Sequence, residues 1–216
     1  DGSAPVYVVH GSPRSDREFL YPDRDPEALA AFGRAGLLPP GGRVPRLAES
    51  LLGIEESVLV CAHSHIPWVQ QDRGLLVVNP GSVGASNNGD PRAQYALLTW
   101  DGTAWSATLH AVAYDLNQIR RAYRDTGLLA SGGIMAEVFL QGILSAENIP
   151  GRFVAHLRRL AVEVGSDPEL DIPERVWLQA IRSFEWGDLG SMEDARALRR
   201  VLGTAVRIEK EMNDGG

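Results

Sequence analysis

The sequence predicts a layered α/β domain followed by an α-helical extension, and three observations predict it. Short β-branched apolar runs recur through the first half, each breaking at Gly, Pro or His. Capped helical segments lie between the first of these runs, which is the alternation of an α/β layer fold. Beyond Tyr114 the apolar period changes from two to about 3.6 and stays there. With 216 residues and 44% hydrophobic composition, the chain can bury a substantial core as one domain with additions or as two small ones.

In order along the chain, Val6 to Val9 reads as a buried strand stopped by Gly11 and Pro13, with His10 at its end. Asp25 and Pro26 supply an N-cap and a first-turn proline for a helix through about Phe32, which Gly33 ends. Pro45 to Leu52 is a second short helix, with Leu47, Leu51 and Leu52 on one face and Gly53 as its stop. Ser57 to Cys61 is a strand that delivers His63 and His65, and Leu75 to Val78 is another, broken by Asn79-Pro80-Gly81-Ser82. Gln94 to Trp100 and Thr103 to Ala113 flank Asp101-Gly102, a pair that favours a two-residue hairpin turn with φ > 0 at both positions.

Asp115 and Gln118 have capping-box spacing for a helix ending near Gly127. Asp171 and Glu174 start a helix with Val176, Trp177, Ala180, Ile181 and Phe184 inward. Ser191 and Asp194 start the last, with Leu198, Val201, Leu202, Ala205, Ile208 and Met212 inward. Three amphipathic helices from about Gly151 onward are expected to pack as a small unit.

The net charge of -7 argues against a nucleic-acid polymer as partner, because such binders set Lys and Arg against phosphates. A small phosphate ester stays open, since bound cations can supply the positive charge. One cysteine, Cys61, allows no internal disulfide, so cytoplasm is the simplest location. Cys61 itself reads as a small buried hydrophobe. No stretch approaches the roughly 20 apolar residues of a membrane span, and no membrane association is expected. Asp1 to Pro5 has no initiator Met and runs straight into the first strand, as a chain entered partway through would.

The chemistry gathers at strand ends. His10, the His63/His65 pair and Asn79 to Ser82 each close an apolar run, and in layered α/β folds the carboxyl ends of strands converge on ligand sites. Imidazole is a common ligand of Zn, Mn and Fe. His110, in a hairpin strand, and His156, among Arg152, Arg158 and Arg159, read as structural or solvent-facing. Arg14 and Arg17 follow His10 and could meet a substrate phosphate through their forks. Asp16, Asp23, Asp25 and Asp72 read as surface loop acids. The arginines Arg196, Arg199, Arg200 and Arg207 alternate with acids as an exposed helical face does.

Val9-His10-Gly11-Ser12-Pro13, Cys61-Ala62-His63-Ser64-His65-Ile66-Pro67 and Val78-Asn79-Pro80-Gly81-Ser82-Val83-Gly84 resemble, in order and spacing, the last three motif blocks of small bacterial calcineurin-like metallophosphoesterases. Arg92 to Leu98 and the Ala113-Tyr114-Asp115 step resemble the closing hairpin and tail of that family. The resemblance implies the C-terminal portion of an αββα sandwich over residues 1–140, with residues 141–216 as a helical extension. It implies hydrolysis of phosphate esters, as a phosphodiesterase or phosphatase, through a bridging hydroxide held by two divalent ions drawn from Mn, Fe, Zn, Ni or Co, with Mn favoured. His10 and His63 would be ligands of one metal and His65 of the other. Asn79, Gly81 and Ser82 would form a supporting loop, Gly81 letting backbone approach and Ser82 free to bond a ligand, with Arg14 near the substrate.

Two departures are visible. Family members carry glycine where this chain has Ala62, and a position needing φ > 0 would cost the methyl group roughly 1 kcal/mol. The Asp-x-His, Gly-Asp and Gly-Asn-His blocks of the family's first half, which bring the bridging carboxylate and the general acid, do not occur ahead of His10. A fragment of a longer gene product, inactive alone, is the expectation, and residues 1–112 should leave an uncovered sheet edge. The alternative is a noncatalytic phosphate- or metal-binding regulator on the same scaffold. A small phosphate ester or nucleotide is the expected substrate, and the helical extension could cap the site or serve a homo-oligomer.

Overall fold

A computed structural model describes residues 5–169 and 172–186. The chain is mixed α/β and divides into two compact units, residues 1–114 and 115–216. The division expected at residue 140 falls inside a helix.

The first unit contains β1 (Val6–Val8), α1 (Pro26–Arg34), α2 (Leu47–Ser50), β2 (Val58–Val60), β3 (Trp68–Asp72), β4 (Leu75–Asn79), β5 (Ala93–Trp100) and β6 (Trp105–Val112). Four strands form a sheet in the order β1-β2-β4-β3, and β5 and β6 form a separate hairpin. β1, β2 and β4 run parallel, while β3 lies antiparallel to β4 with Gln70 opposite Val77. One sheet face carries Leu59, Cys61, Trp68, Leu75 and Val77, and packs with Ala28, Ala31 and Phe32 of α1 and Leu47 of α2. The other face carries Val58, Leu76 and Val78 and is covered by Ala96, Leu98, Trp105 and Ala107 of the hairpin. Helices, sheet and hairpin are three layers of the expected αββα arrangement.

Several boundaries differ from the sequence reading, each for a local reason. β1 is an edge strand rather than a buried one, leaving Val6 37% and Val8 67% exposed. Its outer side has no partner strand among the described residues, which is the open edge the sequence implied. α1 starts as expected, with Asp25 Oδ1 accepting from the Glu27 and Ala28 amides, but runs through Gly33 to Arg34 before Gly36 takes the left-handed turn. α2 is only Leu47–Ser50, so Leu52 falls beyond it and is 78% exposed. Trp100 pairs with Trp105, so the hairpin loop is Asp101 to Ala104 rather than two residues, with Asp101 Oδ1 accepting from the Thr103 and Ala104 amides.

β3 has no apolar alternation to announce it. Of the three positions on the face it shares with Val77, Trp68 is apolar, but Gln70 and Asp72 are buried and polar. The Gln70 amide donates to Asp23 at 2.7 Å while its carbonyl accepts from the Arg24 amide, and Asp72 pairs with Arg24 at 3.1 Å. The surface acids of the sequence reading thus include two anchors of the turn that precedes α1.

The second unit contains α3 (Leu116–Asp125), α4 (Leu128–Ser145), α5 (Ile149–Glu163) and α6 (Glu174–Ser183). Asp115 caps α3 by accepting from the Asn117 amide. α4, apolar and 18 residues long, could cross a membrane by length and composition alone, a stretch the sequence reading did not single out. Here Gly133 (φ 53, ψ -137) breaks it, Glu137 and Gln141 form a buried pair at 2.9 Å, and Val138 packs into the core with Phe153, Leu157, Val176 and Ile181. Trp177, Phe184 and Trp186 lean on that core, as the inward face expected for α6 requires. α6 is flanked at its start by Pro173 rather than Asp171. Asp171 and the last expected helix, from Ser191, lie outside the described residues.

Candidate metal centre

Because β1, β2 and β4 are parallel neighbours, their carboxyl ends open on one edge of the sheet. The pairing continues past the strands, with the Val9 amide donating to Val60 O, Cys61 to Val78 O and Ala62 to His10 O at 2.8 Å. That last bond sets the backbone of His10 beside the segment that carries His63. His10 Nε2 lies 3.1 Å from His63 Nδ1, with ring centroids 4.9 Å apart.

The strain expected at Ala62 is instead at the histidines. His63 (φ 64) and His65 (φ 58) both occupy the left-handed region, whereas Ala62 does not. Such backbone costs a non-glycine residue on the order of 1–3 kcal/mol and persists only where its surroundings over-determine it. Asn79, 1% exposed, supplies much of that constraint. Its Nδ2 donates to Ala62 O at 2.8 Å and to Ser64 Oγ at 3.0 Å, while its Oδ1 accepts from the Gly81 amide. From the other side, Asn87 donates through its amide to His65 O and through Nδ2 to Ser64 O.

His65 Nδ1 lies 2.7 Å from Ala85 O. A carbonyl only accepts, so Nδ1 carries the proton and the lone pair of the neutral ring is on Nε2, the arrangement that prepares a histidine for a metal. Ser82, expected to be free for a ligand, builds the turn that presents Ala85, its Oγ accepting from the Ala85 amide at 3.0 Å. Gly81 takes φ 86, and a Cβ there would sit 2.1 Å from Gln94 Oε1, so the close approach is to Gln94. His63 is held below its ordinary pKa chiefly by burial, then by the neighbouring His10 and His65 rings, against a hydrogen bond to the Arg17 backbone and the Asp16 carboxylate. Neutral imidazole is the ligating form.

Arg14 is spent on structure. It binds Glu18 through Nε and Nη2, reaches Ser50 Oγ at 3.0 Å and Glu49 O at 3.4 Å, and Glu18 also accepts from Ser12 Oγ. Cys61 is 1% exposed and burial pushes its thiol up to about 12, so it is core, as expected. His110 stacks on Tyr95 at 5.0 Å, and His156 bonds Ser183 Oγ at 2.7 Å. Residues that sequence reasoning missed are Ser64, Asn87 and Phe19, whose ring stacks on His63 at 4.5 Å. Immediately beyond His65, a cleft of about 240 Å³ opens between Ile66, Pro67, Asn88 and the Ala28/Ala31 face of α1.

Two nitrogens bound to one ion at about 2.0–2.1 Å, with an angle between about 90° and 110°, stand about 2.9–3.4 Å apart, so the His10–His63 pair fits one edge of a metal site. It is not a complete site. Among the described residues no group of three or more His, Cys, Asp or Glu is gathered closely enough to hold an ion.

A search of curated proteins finds no match. Among solved structures, the chain is similar to a metallophosphoesterase from Sphaerobacter thermophilus (22% identity, TM-score 0.45, covering 67% of this chain and 56% of that one). It is also similar to a hypothetical protein from Pyrococcus horikoshii OT3 (20% identity, TM-score 0.41, covering 59% and 43%). The chain therefore spans less than two thirds of either. The profile of the calcineurin-like phosphoesterase superfamily domain matches residues 2–103, the segment that carries every residue of the strand-end cluster. Over those residues the chain is similar to the calcineurin-like phosphoesterase superfamily domain, a family whose members are generally phosphoester hydrolases that use divalent metals.

Proposed function

We propose that this chain supplies the histidine side of a two-metal centre, with Mn favoured, that hydrolyses a small phosphate ester or nucleotide as a phosphodiesterase or phosphatase in the cytoplasm. The observation that carries the reading is the His10 Nε2 to His63 Nδ1 separation of 3.1 Å at adjoining strand ends, beside a His65 whose Nε2 is left unprotonated. Divalent ions held there would lower the pKa of water, orient the ester and offset charge on the phosphoryl oxygens. The chain's own contribution is orientation: Asn79 and Asn87 fix the left-handed backbone, and Ala85 O fixes the His65 tautomer.

With Arg14 engaged, Arg17 is the better cation for a phosphate, since its backbone touches His63 and its side chain is exposed. The carboxylates of a complete centre come, in this reading, from outside the gathered residues. A noncatalytic metal- or phosphate-binding regulator is the second reading, favoured by a His10–His63 pair around which no third His, Cys, Asp or Glu is gathered closely enough to hold an ion among the described residues.

Hydrolysis of an activated aryl phosphodiester, assayed with Mn for this chain with and without the sequence encoded upstream of it, tests the proposal. Expected are negligible turnover for the chain alone and chelator-sensitive turnover for the longer protein. His63→Ala should lower that turnover on the order of 10²-fold. Chelator-insensitive hydrolysis by the chain alone would overturn the metal mechanism, and an inert longer protein that still binds Mn would select the regulator.

A further inference from the structure

We infer that Phe19 is a positioning residue for His63, holding its imidazole in the orientation that faces His10; this rests on the metal-site reading above. The two rings are stacked, with centroids 4.5 Å apart and planes 19° from parallel. On its other sides Phe19 meets Phe32 and Tyr21 edge-on, each at 6.4 Å, and Phe32 is fully buried against the sheet. The stack therefore ties a part-exposed imidazole to the rigid core through two aromatic contacts.

The segment that brings Phe19 there is built for close closure. A Cβ on Gly11 would lie 2.5 Å from Ser15 O, so only glycine lets the chain fold back after His10. Ser12 Oγ accepts from the Arg14 and Ser15 amides, and Glu18 is clamped by Arg14 and Ser12. Phe19 follows directly. His63 is thus held on three sides by one stretch of chain: His10 against Nδ1, the Arg17 backbone, and the Phe19 face. A phenyl ring cannot compete for a metal, and its electron-rich face favours an imidazole that gains positive character on ligation, so the stack should strengthen when an ion binds.

The test uses NMR of the metal-free chain and of a Co²⁺ titration read at the histidine rings, with Phe19→Leu, which keeps apolar bulk, and Phe19→Tyr, which keeps the ring. Nuclear Overhauser contacts between the Phe19 and His63 rings are expected in the metal-free chain; their absence overturns the inference and leaves the metal reading standing. Phe19→Leu should weaken Co²⁺ binding about tenfold while Phe19→Tyr leaves it within about twofold, the size expected of a partner that orients a ligand. In a His63→Ala background, Phe19→Leu should cause no further loss. Equal loss in both backgrounds, or unchanged affinity in Phe19→Leu, would reduce Phe19 to core packing. A stacked pair with no Co²⁺ response at His10 or His63 would sink the metal reading and this inference with it.

Discussion

His63 and His65 hold a backbone conformation that neither would choose alone, and the residues that impose it are the ones whose loss should be felt. Asn79→Ala removes three hydrogen bonds from a side chain 1% exposed, two of them to the His63–Ser64 neighbourhood. The expected cost is about 2–3 kcal/mol in urea unfolding, because buried partners are left unsatisfied. Gly81→Ala should cost a comparable amount, on the order of 1–3 kcal/mol, since it adds a Cβ in left-handed backbone against Gln94 Oε1. A neutral result for either would mean that the loop does not constrain the histidines. At this scale the sequence was informative where chemistry sits at a strand end: His10, His63 and the Asn79 loop could be read from what they terminate. Phe19, Ser64 and Asn87 could not, because they act across the fold on residues far away in the chain. Nor could the left-handed histidines, since only glycine advertises that conformation.

The elements were legible where periodicity and caps agreed. Asp25-Pro26 marked the start of α1, and Asp25→Ala should cost about 1 kcal/mol of stability by freeing the Glu27 and Ala28 amides. β3 was hidden because two of its three buried positions, Gln70 and Asp72, are polar residues satisfied by Asp23 and Arg24, and α4 because Gly132 and Gly133 interrupt an otherwise apolar run. The His10-to-α1 loop carries a pH dependence whose sign follows from Glu18. Its bond with Arg14, then that with Ser12, hold the carboxyl below its ordinary value of 4.5, against partial burial. In that window the unfolded chain binds more protons than the folded one, so the contribution is present above about pH 4.5 and is lost as pH falls through the folded value. Asp90, Asp101 and Asp115 are lowered too, so the comparison must be with Glu18→Gln. That variant should be less stable than wild type at neutral pH, with the difference closing in acid; a difference constant with pH would refute the assignment.

For the molecule as a whole, the change of period at Tyr114 marks the boundary between the two units more faithfully than the expected division at residue 140. Cys61 offers a global probe of the first unit. Buried, with its thiol near 12, it should be alkylated only as fast as that unit opens, and Val77→Ala, costing about 2 kcal/mol in the same core, should speed labelling roughly 30-fold if opening is a fast pre-equilibrium. Labelling at the rate of a free thiol would contradict that packing. The net charge of -7 still leaves a bound cation as the means by which an acidic chain could attract a phosphate ester. A two-metal centre requires that the strand-end histidines take an ion, and imidazole ¹⁵N NMR during a Zn²⁺ titration asks that directly. The prediction is that His10 Nε2, His63 Nδ1 and His65 Nε2 shift together while His110 and His156 stay still. Zinc that shifts none of the strand-end nitrogens, or only His110 and His156, would contradict it.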